Sequence, residues 1–280
     1  MRGFWRLLLL IAVCGCWMPV MAAPAQRIVA LSPHTVELLF AIGAGGRIVG
    51  ATDFADYPAE AQKIPRIGGS YGIKLDKLLA LSPDLVVAWG SGNQPQDIAR
   101  LRQLGIPLYV SQPQTLQDVA HDLRQLGQLT GRQQQAQQLA DDYLRQLQAL
   151  QHRYAGQTPV SVFYQLWPNP LMTVAKGSWI EQAIQVCGGK NVFADAASAY
   201  PQVSLENVLL RQPQVIITEA QQHDGQSLDW QQWPEIPAVK NRQIYAIDAQ
   251  LLQRPTLRVL QGLTQLCQVM AKARDASAKP

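Results

Sequence analysis

The residues of this sequence best suited to chemistry are aromatic, and they recur at the ends of apolar runs. Phe54 and Tyr57 follow the run at 48–51, Trp89 closes Leu85-Val86-Val87-Ala88, and Trp167 follows the run at 160–164. Tyr71 and Tyr200 each precede one copy of a repeated helical segment. In open α/β sheets, ligands bind beyond the carboxyl ends of the strands. The loops expected there are aromatic and lightly charged. Any one of these rings could simply pack at a loop base, but as a set they suit a cleft for a broad, flat, largely apolar ligand.

Other chemistries are less well supported. Gly68-Gly69-Ser70-Tyr71-Gly72 satisfies the Gly-x-Ser-x-Gly pattern of a hydrolase nucleophile, with Asp195 and His223 following in the right order. That chemistry needs the serine on a sharp turn between a buried strand and a helix. The preceding Gln62-Lys63-Ile64-Pro65-Arg66-Ile67 carries a proline and charges that spoil a central strand. The glycines between 43 and 50 follow a helix instead of opening one, so a dinucleotide fingerprint also fails. His34, His121, His152 and His223 have no metal-ligand spacing, and no metal site is expected. His34 falls where the cleft should be and could contact ligand or coordinate a metal centre there, but a solvated loop histidine is the simpler reading. Asp76 and Glu206 occupy matching places near the starts of the repeated helices, where a carboxylate favours the helix dipole. They would equally serve as symmetric acidic posts for a two-fold partner that presents arginines.

The elements that must position these residues follow strand–helix–strand grammar. Arg27-Ile28-Val29-Ala30-Leu31 reads as a buried strand, with Ser32 as N-cap and Pro33 as first residue of the following helix. The segment 73–87 recurs at 203–217: Leu75 matches Leu205, Asp76 matches Glu206, Leu79 matches Leu209, and Pro83 matches Pro213. Each copy predicts a short helix, a proline-terminated stop and a β-branched buried strand. Between the copies, Ala136, Leu139, Tyr143, Leu147, Leu150 and Tyr154 recur at helical spacing between Gly131 and Gly156. A helix there spans about 33 Å at 1.5 Å per residue. The expected fold is therefore α/β: two Rossmann-like lobes joined by one long backbone helix, with the ligand cleft between them. The boundaries are a signal segment at 1–22, an N-terminal lobe at 23–130, the backbone helix at 131–156 and a C-terminal lobe at 157–280. A rigid helical connection implies only small ligand-driven motion.

Arg2 and Arg6, the apolar run from Leu7 to Val13, and Val20-Met21-Ala22 form an export signal with cleavage expected after Ala22. A lipoprotein anchor at Cys16 is the minor alternative. Removal of the segment takes Arg2 and Arg6, so 24 basic residues fall to 22 against 20 acidic ones, a net charge of +2. That charge implies no nucleic-acid partner. Cys14 and Cys16 leave as well, and the remaining Cys187 and Cys267 are expected to form one disulfide in an oxidising compartment.

The segments Ile28-Val29-Ala30-Leu31-Ser32-Pro33 with Glu37-Leu38, Asp56-Tyr57-Pro58 with Ala61-Gln62-Lys63-Ile64, and Leu81-Ser82-Pro83-Asp84-Leu85-Val86-Val87-Ala88-Trp89 resemble the helical-backbone class of periplasmic binding proteins. Within it they resemble the branch that serves bacterial vitamin B12 importers. In the second lobe the resemblance rests on Val186-Cys187-Gly188-Gly189-Lys190-Asn191-Val192-Phe193, Pro201-Gln202-Val203-Ser204 and Gln265-Leu266-Cys267. It implies a periplasmic monomer without cofactors or enzymatic activity, which carries a corrinoid such as cobalamin to the two-fold membrane permease of an ABC importer. The cysteines fall where the family has its disulfide, and Asp76 and Glu206 where it meets the permease. Trp89 matches a family cleft tryptophan; Phe54 stands in place of a tyrosine and Tyr200 in place of a tryptophan. Leu251, Leu252, Gln253 and Arg254 lie in the cleft segment 250–254, where leucines replace an acidic-aromatic stretch that contacts the corrinoid. Ligand contacts are thus expected from Phe54, Tyr71, Trp89, Trp167, Tyr200 and this segment. Haem or ferric siderophores, carried by binders of the same fold, are the alternative cargo, and a secreted α/β hydrolase is the alternative of another class.

Overall fold

A computed structural model describes residues 23–69, 71–220 and 228–277. The signal segment, Ser70 and His223 lie outside the described residues. In the first lobe the order is β1 (Ile28–Ala30), α1 (Pro33–Ala41), β2 (Ile48–Ala51), the short pair β3 (Gly68–Gly69) and β4 (Gly72–Ile73), α2 (Leu75–Ala80), β5 (Leu85–Trp89), α3 (Pro95–Gln103), β6 (Leu108–Ser111) and α4 (Asp118–Thr130). The second lobe comprises β7 (Val160–Tyr164), β8 (Trp167–Pro168), β9 (Leu171–Met172), α6 (Trp179–Val186), β10 (Gly189–Asn191), α7 (Leu205–Arg211), β11 (Val215–Glu219), α8 (Pro237–Lys240), β12 (Ile244–Ile247), α9 (Ala249–Gln253) and α10 (Val259–Ser277). Between them runs α5 (Gln133–Tyr154), a helix of 22 residues.

Each lobe holds a four-stranded parallel sheet, ordered β2-β1-β5-β6 in the first and β10-β7-β11-β12 in the second. Strands covered on both faces read as continuous apolar runs, and β1, Ile-Val-Ala, is fully buried. The helix after it starts as expected, with Pro33 at its first turn and the Ser32 hydroxyl accepting from the Thr35 amide at 3.4 Å. The repeat holds at the level of backbone. Ser82 (φ 44°) and Gln212 (φ 46°) both take the left-handed conformation directly before Pro83 and Pro213, ending α2 and α7 alike.

The largest core cluster runs through both lobes and α5, taking in Leu39, Leu126, Ala140 and Tyr143 together with Val162, Ile184 and Leu266. Gly127 lets α4 approach α5, since a Cβ there would sit 2.4 Å from the Ala136 Cβ. The Tyr143 hydroxyl donates to the Leu116 carbonyl at 2.7 Å, which ties the backbone helix to the first lobe. In the second lobe Cys187 and Cys267 are disulfide-bonded, joining the end of α6 to the middle of α10. The Gly-x-Ser-x-Gly segment does not form a nucleophile elbow. Gly68–Gly69 pairs antiparallel with Gly72–Ile73 in a small hairpin, and no helix follows the serine directly.

Candidate functional site

Where the two lobes meet at their strand ends, Trp89, Ser91 and Pro113 of the first face Leu166, Trp179, Ile180, Tyr200, Gln253 and Pro255 of the second across a cavity of about 210 Å³. Each wall is held from behind. The Trp89 amide donates to Asn93 Oδ1 at 2.7 Å, and Asn93 Nδ2 donates to the Leu31 carbonyl at 2.8 Å, fastening the end of β5 to that of β1. Gly92 is required there, because a Cβ would lie 1.8 Å from the Trp89 ring. Opposite, Trp179 Nε1 donates to the Leu252 carbonyl at 2.8 Å, and Gln253 Nε2 donates to Glu219 Oε1.

The residues expected to touch ligand divide into three groups. Trp89, Tyr200 and Gln253 line the cavity. Phe54, Tyr71 and Trp167 do not line it and stand exposed at 78%, 103% and 49%, Trp167 at the start of the short strand β8. Phe54 is held at φ 61°, a conformation costly for a bulky residue, three residues beyond β2. Trp167 adjoins the cavity residue Leu166, and its Nε1 donates to the Asn169 carbonyl at 3.0 Å. Leu251 and Leu252 form the third group. Both are buried, with Leu252 in the core, so their side chains support the cleft floor from within. Ser91, Pro113, Trp179 and Pro255 were not foreseen, since nothing in their local sequence marks them as cleft residues.

Arg254 is committed to a cluster of charges that crosses from lobe to lobe. Its Nη1 contacts Glu37 Oε1 at 3.0 Å and Asp56 Oδ1 at 2.7 Å, while Nη2 donates to the Phe54 carbonyl at 3.3 Å. Arg258 completes the cluster, with Nε on Glu37 Oε2 at 3.0 Å and Nη2 on Glu37 Oε1 at 2.8 Å. Its guanidinium lies 3.9 Å from the centre of the Tyr57 ring. Burial works against the Asp56 carboxylate, but the hydrogen bond and charge of Arg254 outweigh it and hold the pKa below the usual range. One signal pointed to this cluster: Glu37 sits among Val36, Leu38 and Leu39 in a buried helix, where a carboxylate needs a partner. A separate groove of about 480 Å³ is lined by Glu37 and Arg258 of the cluster with Leu38, Phe40, Tyr57, Pro58 and Leu257; of the aromatics expected at the cleft it holds Tyr57.

His34 is not the solvated residue expected. It is 2% exposed, packs edge-on against Trp89 with ring centres 5.3 Å apart, and shares a 2.9 Å hydrogen bond through Nε2 with Ser111 Oγ. Ser111 Oγ donates to Asp122 Oδ2 at 2.6 Å, and the Tyr109 hydroxyl donates to Asp122 Oδ1 at 2.5 Å. Burial, reinforced by the positive charge of Arg254, lowers the His34 pKa to about 3 and keeps the ring neutral. Among the described residues no group of three or more His, Cys, Asp or Glu gathers as a metal site.

Residues 28–251 match the family model described as periplasmic binding protein. The chain is 40% identical over 245 residues to the vitamin B12-binding protein of Vibrio cholerae serotype O1, covering 87% of this chain and 88% of that one. It is similar to the crystal structure of the periplasmic vitamin B12 binding protein of Vibrio cholerae, with a TM-score of 0.84 and 39% identity over 91% of this chain and 99% of that one. A periplasmic haem-binding protein from Roseiflexus is also similar, with a TM-score of 0.79 and 26% identity over 89% and 99% of the two chains.

Proposed function

The chain belongs to the periplasmic binding protein family, and from that premise we propose that it captures cobalamin or a related corrinoid between its lobes and hands it to the membrane permease of an ABC importer. The observation that carries this reading is the make-up of the cleft: Trp89 on one wall, Trp179 and Tyr200 on the other, and Arg254 already paired with carboxylates. A cavity of about 210 Å³ is below the usual range for a whole ligand. A corrinoid would seat one edge there and lay its broad faces against the exposed rings of Phe54, Tyr71 and Trp167. Corrinoids have apolar faces, an amide-bearing rim and little net charge, so they need no free cations. A catecholate chelate, being anionic, would. The relatives named for vitamin B12 support the same assignment.

In this reading residues 1–22 direct export and are removed after Ala22, and the protein works in the periplasm as a monomer. Asp76 and Glu206, exposed on the equivalent helices α2 and α7, meet the two halves of the permease. Calorimetric titration with cobalamin, and in parallel with haem, tests the assignment. Saturable heat with cobalamin and none with haem supports it; the reverse moves it to haem.

A further inference from the structure

The cluster of Glu37, Asp56, Arg254 and Arg258 joins residues about 200 positions apart in the chain: the pairs Glu37–Arg254, Asp56–Arg254 and Glu37–Arg258 are separated by 217, 198 and 221 residues. Every one of these bonds therefore spans the two lobes. The Glu37 side chain is 3% exposed and those of Arg254 and Arg258 15% each, so the two Glu37 pairs are largely shielded from water and salt, while Asp56, at 40%, is open to both. Arg258 holds Glu37 as a fork, one nitrogen on each carboxylate oxygen, which fixes orientation as well as distance. Arg258 directly precedes α10 and Arg254 directly follows α9, so the fork and its neighbour pin the start of one C-lobe helix and the end of another to α1. Among the described residues the other side-chain hydrogen bonds between the lobes join neutral groups: the Leu116 amide donates to Gln182 Oε1 at 3.2 Å, and Gln182 Nε2 donates to the Gln114 carbonyl at 2.6 Å. Charge-assisted bonds are stronger than neutral ones, so among these hydrogen bonds the charged cluster holds the lobes more firmly.

It also reaches the cleft walls on both sides. Arg254 Nη2 takes the carbonyl of Phe54, the residue held at φ 61°, while Gln253, its chain neighbour, lines the cavity. One guanidinium therefore couples the strained loop that presents a first-lobe ring to the helix end that forms the second-lobe wall. A non-glycine residue stays in the left-handed region only when its surroundings over-determine it. Here the Asp56 amide of the same loop donates to the Phe54 carbonyl at 3.0 Å, and Arg254 adds a second bond to that oxygen from the other lobe.

We infer that Glu37 and Arg258 are positioning residues: with Arg254 they form a charged clamp that sets the spacing of the aromatic walls and the presentation of Phe54. This rests on the corrinoid reading only for the identity of the ligand. The clamp itself is a statement about lobe spacing in the free protein. Breaking it should widen the range of lobe separations before any ligand is added.

The test places nitroxide labels on exposed positions of the two lobes, Arg102→Cys and Lys240→Cys, and reads the distance distribution by pulsed electron resonance in the ligand-free protein. Glu37→Gln, which keeps the shape and one acceptor but removes the charge, should broaden the distribution and raise the cobalamin Kd about tenfold. Arg258→Lys keeps the charge but loses the fork, and should fall between wild type and Glu37→Gln in both readings. A merely structural role would lower thermal stability without that graded broadening. If both variants keep the wild-type distribution, the clamp is refuted. If wild type binds no cobalamin while Glu37→Gln still broadens the distribution, the clamp stands and the ligand assignment fails.

Discussion

The first lobe backs its cleft wall with polar groups: His34, Ser111, Asp122 and Tyr109 form a continuous hydrogen-bonded chain beneath Trp89. The second backs its sheet with rings, Phe163 packing edge-on against Phe193 and Trp230, and a disulfide closes its outer helices. Yet both lobes carry the same parallel strand order, and β5 and β11 share the burial pattern of four buried residues followed by a half-buried one. That last residue is Trp89 in one lobe and Glu219 in the other. Duplicated framework and divergent strand ends have different causes. A strand covered on both faces admits few side chains, whereas a strand end at a cleft is free to vary with the ligand it meets. The lobes agree where packing decides and differ where recognition does.

Removing the disulfide is the largest expected perturbation, and it acts on the second lobe. The bridge closes a chain separation of 80 residues. Such a loop contributes about 4 kcal/mol in the chain-entropy model. The double variant Cys187→Ser, Cys267→Ser should lose stability of that order in equilibrium urea unfolding, while added reductant leaves it unchanged. A loss below about 1 kcal/mol would mean that packing alone holds α6 to α10.

The first lobe should instead respond to pH. His34 titrates at about 3 when folded against 6.5 when unfolded. The unfolded chain therefore takes up the proton first, and stability falls as pH drops below about 6.5, by up to about 1.4 kcal/mol per pH unit from this residue. Asp122 acts in the opposite sense: burial raises its pKa although the Ser111 and Tyr109 hydroxyls bond its charged form. His34→Gln, which can still donate to Ser111, should flatten the dependence between pH 6 and 5 as read from the urea midpoint. An unchanged slope would place the acid sensitivity elsewhere.

The helices proposed to dock on the permease offer the mildest contrast. In α7 the Ser204 hydroxyl caps the helix by accepting from the Asn207 amide at 3.3 Å, whereas Lys74, at the same position before α2, makes no side-chain cap. Asp76→Ala and Glu206→Ala should each weaken binding to the reconstituted permease a few-fold, about 0.5–1 kcal/mol for an exposed charge pair. The double variant should do more, high salt should erase the difference, and ligand affinity should stay within twofold. A collapse of ligand affinity would assign these carboxylates to the cleft or to folding.

The two-lobe frame was legible because its signals are local. Pro33 after Ser32, apolar runs of strand length, the spacing of Ala136, Tyr143 and Leu147, and the recurrence of 73–87 at 203–217 each specify an element within a few residues. Trp89 and Tyr200 could be placed at the cleft because strand ends follow from those elements. His34 and Arg254 could not be placed in the same way. His34 is buried by Ser111 and Asp122, about 80 residues downstream, and Arg254 meets Glu37 across 217 residues. Both environments are created by tertiary approach, with no periodicity to announce them.

Ligand capture between two aromatic walls is the central claim, and a calorimetric titration of cobalamin into wild type and Trp89→Ala tests it most directly. Truncating a ring that stacks on a ligand costs on the order of 1–3 kcal/mol, about 5- to 150-fold in Kd. Wild type should bind one cobalamin, and Trp89→Ala should weaken it within that range while remaining folded by thermal melt. No heat from wild type with cobalamin or cobinamide, or a Trp89→Ala affinity within twofold of wild type, would contradict the account.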